Sequence, residues 1–191
     1  TKKATDLVMQ IEEKDLTGKN LYEKVKKYCS IDGLSRYEEK VVEELKKLTN
    51  DKTIQYERDG MGSIILFQSD KPKSGPIIQI AAHMDEVGFI VQDITDKGQL
   101  RLSMIGGIWP LTVIGTKAIV YNAEGKKYEG VFGHTSIHIL ELEKRNKVPE
   151  LKDLYVDLGF KSKKEAEDNL IEIGSRVCLT GDCFLMNNEY A

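Results

Sequence analysis

No stretch of this sequence is apolar for long enough to cross a bilayer, and Thr1-Lys2-Lys3 opens no signal-like apolar core. A cytoplasmic protein with no membrane partner is expected. Cysteine is scarce: Cys29, Cys178 and Cys183 are odd in number and show neither zinc-ribbon spacing nor a Cys-x-x-Cys pair. Reduced thiols fit that usage. Basic charge is not in excess, with 28 Lys and Arg against 31 Asp and Glu and a net charge of −3. That predicts no nucleic-acid partner, which would want a clustered basic surface. Also missing are a Gly-x-Gly-x-x-Gly turn, a Walker loop, a His-Glu-x-x-His helix, any internal repeat and any low-complexity tract.

The 191 residues suffice for one sizeable domain or two small ones, and 40% hydrophobic with 31% charged residues is an ordinary globular composition. Leu7, Val8 and Ile11 lie at helical spacing, with Gly18 placed to close that helix. A second helix is expected from Asn20, carrying Leu21, Val25 and Tyr28 on one face. Ser35-Arg36-Tyr37-Glu38 has the form of a capping box and predicts a helix to about Leu48. Strands follow over 53–58 and 63–67 around the turn signal Asp59-Gly60. Pro76-Ile77-Ile78-Gln79-Ile80-Ala81-Ala82 then reads as a strand buried on both faces. This first half has the pattern of an α/β layer.

After Phe89 the texture changes. Short strand-like runs over 90–94, 100–104, 111–114, 117–121 and 128–132 are separated by glycine-containing turns, and predict a small barrel or sandwich. Residues 141–153 are charged and loop-like, 154–158 is another strand, and Ser162 with Glu165 opens a short helix to about Leu170. Runs over 176–180 and 184–187 read as closing strands.

The chemistry-bearing group is His83-Met84-Asp85, at the end of the apolar run. Residues two apart in a strand share a face, so His83 and Asp85 can act on one site. A neutral imidazole is a common zinc ligand, and a carboxylate beside it fixes its tautomer. The plainer alternative is a hydrogen-bonded histidine at a strand end with a surface aspartate.

His83-Met84-Asp85-Glu86-Val87-Gly88-Phe89 resembles the metal-binding signature of the M42 family of metallo-aminopeptidases. Three further segments resemble that family, in its order: Ile105-Gly106-Gly107-Ile108-Trp109-Pro110, Gly130-Val131-Phe132-Gly133-His134 through Leu140, and Leu154 through Ala166. The resemblance implies part of a zinc-peptidase-like, three-layer α/β domain interrupted by a small β-barrel-like insert. The catalytic domain would take residues 1–87, the insert that mediates dimerisation and assembly 88–177, and the return to the catalytic domain 178–191. It implies a two-metal site of zinc or cobalt, with His83 as a metal ligand and Asp85 as the carboxylate that orients it. It implies hydrolysis of N-terminal residues from short peptides by metal-activated water, in a homo-oligomer joined through the insert. The family's bridging aspartate motif, its Glu-Glu pair and its later ligands are not found in the sequence, so the expectation is a truncated part that is inactive alone. Two alternatives stand beside it: a non-catalytic fragment acting as a self-association module, and another co-catalytic zinc hydrolase such as a deacylase.

Other residues are weighed against plainer roles. His134 and His138 are four apart but follow Gly133 and lack the intervening glutamate, so structural contacts are expected. Gly106-Gly107 reads as a turn, Trp109 as a packing or oligomer contact, and Glu86 as a surface carboxylate. Asp182 lacks the Asn-Arg that marks the bridging aspartate.

Overall fold

The computed structural model describes residues 18–50, 52–70, 74–136 and 138–187. The helix expected around Leu7, Val8 and Ile11 lies outside them. The chain divides into two compact units. One is formed by the described residues up to 85 together with those from 182, the other by the described residues of Glu86–Gly181.

In the first unit, helix α1 (Gly18–Cys29) includes Gly18 as its first residue instead of following it, and its Leu21 and Val25 remain exposed. Tyr22 donates its hydroxyl to the Cys183 carbonyl at 3.1 Å. Helix α2 (Glu39–Lys46) buries Val41 and Val42, and Leu34 is buried with them. A short 3-10 turn (Lys47–Asn50) ends it. Glu44 on α2 pairs with Lys27 on α1 and with Lys47. Strands β1 (Ile54–Arg58) and β2 (Ile64–Gln68) form the expected antiparallel hairpin. The side chain of Asp59 builds its turn, accepting from the amides of Met61 at 2.9 Å and Ser63 at 2.8 Å.

The expected strand over 76–82 does not form. Those residues have no strand partner among the described residues, and Ile77, Ile78 and Ile80 are 94%, 74% and 92% exposed. An apolar sequence supplies the propensity for a strand, but the ladder needs a neighbour on each side.

The second unit is a closed antiparallel barrel. Its strands are β3 (Gly88–Ile94), β4 (Leu100–Ile105), β5 (Lys117–Tyr121), β6 (Lys127–His134), β7 (Leu154–Asp157) and β8 (Arg176–Leu179), in the order β3-β4-β7-β6-β5-β8. Closure leaves no open sheet edge. The position expected for the return to the first unit, residue 178, falls inside β8, and the barrel unit runs on to Gly181.

Simple alternation would turn Phe89, Val91 and Asp93 inward. A register shift between Val91 and Asp93 corrects this, so that Phe89, Val91 and Ile94 are buried and Asp93 is not. The core adds Leu100, Leu102, Ala118, Val120, Phe132, Leu154, Val156 and Val177. Phe89 and Phe132 meet with ring centroids 5.3 Å apart and planes tilted by 52°, a favourable aromatic arrangement.

Gly98 closes the β3–β4 turn at φ 81°, where an added Cβ would crowd Phe160 and Ser162. Gly133 pairs with Tyr155, whose ring occupies the space a Cβ would need. Helix α3 (Lys163–Asp168) begins as expected: Ser162 accepts from the Glu165 amide at 3.2 Å, while Glu165 accepts from the Lys161 amide at 2.7 Å.

Two further expected strands are absent. Residues 111–114 follow Pro110 into a 3-10 turn (Pro110–Thr112), fixed by proline's φ and by the Thr112 hydroxyl on the Trp109 carbonyl at 2.7 Å. Residues 184–187 form no strand, and Asn187 has a left-handed backbone at φ 51°.

Candidate functional site

The site is built at the entry to α2. Gly33 has no side chain, which lets the backbone at Met84 lie close above it; a Cβ there would come within 3.3 Å of the Met84 carbonyl and 2.9 Å of Val41. The next turn is closed by the Tyr37 amide on the Leu34 carbonyl at 2.7 Å, and Arg36 takes a left-handed backbone at φ 72°. Non-glycine residues enter that region at a cost of roughly 1–2 kcal/mol.

The capping box expected at Ser35 and Glu38 does not form. Helix α2 starts at Glu39 with Glu38 as its N-cap and no side-chain cap bond, and Glu38 instead accepts from the Arg36 amide at 2.7 Å. The helix forgoes an interaction usually worth about 1 kcal/mol. Ser35 donates its hydroxyl to Asp85 Oδ2. Sequence reasoning missed this partner because its spacing matches a helix cap.

Asp85 and His83 face one another at the far side of this link. His83 Nδ1 lies 2.9 Å from the Asp85 main-chain oxygen and 3.4 Å from Asp85 Oδ1. A carbonyl can only accept, so in the neutral ring the proton sits on Nδ1 and the Nε2 lone pair is left open. The His83 side chain is 86% exposed and that of Asp85 41%. The Ser35 hydroxyl, with a smaller contribution from His83, holds the Asp85 carboxyl below the usual carboxylate range. The structure therefore brings together the two residues expected to act as one, and adds Ser35 to them.

A catalytic zinc takes about three protein ligands. Among the described residues, no group of three or more His, Cys, Asp or Glu side chains could hold a metal ion. His83 and Asp85 alone do not fit such a centre.

The remaining candidates form no metal-holding group among the described residues. His134 ends β6 opposite Leu154, and His138 sits outside any helix with its carbonyl accepting from Arg145 at 3.4 Å. Both belong to the barrel unit. A cleft there of about 430 Å³ is lined by His134, Arg145, Lys147, Lys152, Glu150 and Asp153, among others. Its acids are engaged: Glu150 and Asp153 cap the turn at Leu151–Asp153 reciprocally, and Lys152 pairs with Glu150 at 2.7 Å. Gly106 turns the chain after β4 at φ 78°, and Trp109 is largely exposed. None of the three cysteines forms a disulfide. No described helix is long and apolar enough to cross a membrane.

The family profile described as M42 glutamyl aminopeptidase matches residues 62–191. The glutamyl aminopeptidase of Lactococcus lactis subsp. cremoris is 32% identical over 169 residues, which is 88% of this chain and 48% of that protein. A TET aminopeptidase from the marine sediment archaeon Thaumarchaeota archaeon SCGC AB-539-E09 superposes with a TM-score of 0.77 at 28% identity, covering 87% of this chain and 46% of the other. The TET1 peptidase of Pyrococcus horikoshii, described as assembling into a tetrahedron or a large octahedral shell, superposes with a TM-score of 0.69 at 33% identity, over 83% and 46%. The chain spans about half the length of these relatives. With the profile matching over most of its length and His83 and Asp85 inside the matched region, the chain belongs to the M42 glutamyl aminopeptidase family.

Proposed function

We propose that this chain carries the His-x-Asp part of a metal-dependent aminopeptidase that removes N-terminal residues from short peptides. The observation that carries this reading is the His83 ring, whose Nδ1 is engaged by Asp85 and whose Nε2 is left open. That is the arrangement of an imidazole prepared as a metal ligand, with a neighbouring carboxylate fixing its tautomer. A pair of zinc or cobalt ions would supply, when bound, an activated water and stabilisation for the developing oxyanion. This chain's share is to present one ligand nitrogen from His83 and to hold its orientation through Asp85. The other ligands are proposed to lie in the part of the relatives' length that this chain does not span.

Native protein purified from its host tests the reading. Hydrolysis of aminoacyl-nitroanilides is expected, lost to a chelator, restored by zinc or cobalt, and abolished by His83→Ala. Hydrolysis that survives both the chelator and His83→Ala would overturn it.

A second reading has a specific observation in its favour. The barrel unit is closed and has its own core, which suits a self-association module without catalysis. Native protein of 21.6 kDa that oligomerises and hydrolyses nothing would favour it. In either reading a homo-oligomer is proposed, by analogy with the assembling Pyrococcus horikoshii peptidase.

A further inference from the structure

We infer that Ser35 is a positioning residue for the His83 ring, acting through Asp85. The inference rests on the aminopeptidase reading only for what the ring is presented to. Three observations converge. The serine hydroxyl is diverted from the helix amides that its sequence context would have it cap, and α2 begins without a side-chain cap bond. The diversion is built into the backbone, since Arg36 takes a left-handed conformation immediately after Ser35. The hydroxyl is received by one carboxylate oxygen of Asp85, while the other faces the His83 ring.

An unanchored aspartate can rotate its carboxylate, and its main chain follows the extended segment it belongs to. With Oδ2 tied to Ser35, residue 85 offers the ring two fixed acceptors: the carbonyl at 2.9 Å and Oδ1 at 3.4 Å. Both face Nδ1, and both favour the tautomer with the proton there. Because the ring is otherwise exposed to solvent, little else in the described structure selects its tautomer. Ser35 thereby decides which nitrogen is open, although it touches neither the ring nor any substrate.

The test uses the full 191-residue chain labelled with 15N-histidine, at about pH 8 where an ordinary imidazole is neutral. The His83 signals are identified by their loss in His83→Ala. The native chain is expected to show a protonated Nδ1 and an Nε2 resonance in the range of a bare lone-pair nitrogen. Ser35→Ala is expected to move both resonances toward the averaged positions of a ring exchanging between tautomers. Ser35→Thr, which keeps the hydroxyl, is expected to retain the native pattern. Should Ser35→Ala lose the amide spectrum of α2, the near-isosteric Ser35→Cys takes its place with the same two outcomes. An unchanged ring in Ser35→Ala overturns the inference. So does a Ser35→Thr ring displaced as far as the alanine variant, because the hydroxyl would then not be the cause. The readout needs neither metal nor substrate. Failure of the aminopeptidase reading would leave these spectra untouched, and failure of the Ser35 inference would leave peptide hydrolysis by the native protein intact.

Discussion

The two units dispose of their apolar residues in opposite ways. In the barrel, Phe89, Val91, Phe132, Val156 and Val177 are wholly buried, and each strand is hydrogen-bonded on both sides. In the other unit, the apolar run from Ile77 to Ala82 lies in water without a strand partner among the described residues. The contrast shows that apolarity alone does not bury a strand. Antiparallel neighbours close in sequence can be recruited by short turns, as β3 and β4 are. A strand of the type buried on both faces needs neighbours that arrive through long crossovers.

The largest effect that would sharpen this contrast is in the barrel core. Phe132→Ala is expected to lower its unfolding free energy by about 3–5 kcal/mol, read by denaturant titration of Trp109 fluorescence, since Trp109 belongs to that unit. Ile78→Ala is expected to change stability by less than about 0.5 kcal/mol. A comparable loss in the two variants would break the comparison, because it would mean that the isoleucine run is packed.

Gly133→Ala comes next. Its new methyl group would meet the Tyr155 ring, so a loss of about 1–3 kcal/mol is expected in the same titration. A stability equal to that of the parent chain would show that Tyr155 moves aside freely.

The exposed isoleucines should act between molecules instead. Sedimentation of the isolated chain is expected to show association that rises with concentration and falls in the double variant Ile78→Lys with Ile80→Lys, which places charge on an exposed apolar run. A monodisperse monomer at every concentration would contradict this.

The smallest effect concerns the link between α1 and α2. Hydrogen bonds from Lys27 and Lys47 hold the Glu44 carboxyl below its usual range. A depressed folded value means that the contribution is full above the unfolded glutamate pKa of about 4.3 and is lost as pH falls through the lower folded value. Amide exchange in the last turn of α1 should therefore accelerate in Glu44→Gln at about pH 6, with the difference from the parent shrinking as pH falls through the lowered folded value. A difference that persists in acid would assign the link to packing.

Much of this was legible from the residues. The hairpin around Asp59, the β3–β4 turn at Gly98 and the capped helix after Ser162 all follow from local chemistry, which operates over a few positions and survives in any context. The alternation of short strands with glycine turns likewise marked the barrel. The misreadings arose where a pattern had more than one physical use. Leu111–Ile114 is as apolar as a strand, yet Pro110 and the Thr112 hydroxyl turn it. Ile77–Ala82 has the composition of a central strand, but composition says nothing about whether neighbours are present. At the site, His83 and Asp85 were readable because their spacing is short. Ser35 was not, because its partner is fifty positions away and its immediate neighbours spell a helix cap.

The barrel's first and last strands are themselves paired, with Gly88 opposite Cys178. Gly88 and Cys178 are thus about as near as opposed residues of one hairpin, roughly 5 Å between Cα atoms. The barrel's two terminal strands therefore start and finish side by side, so a tight turn joining them at that pair would span no new distance.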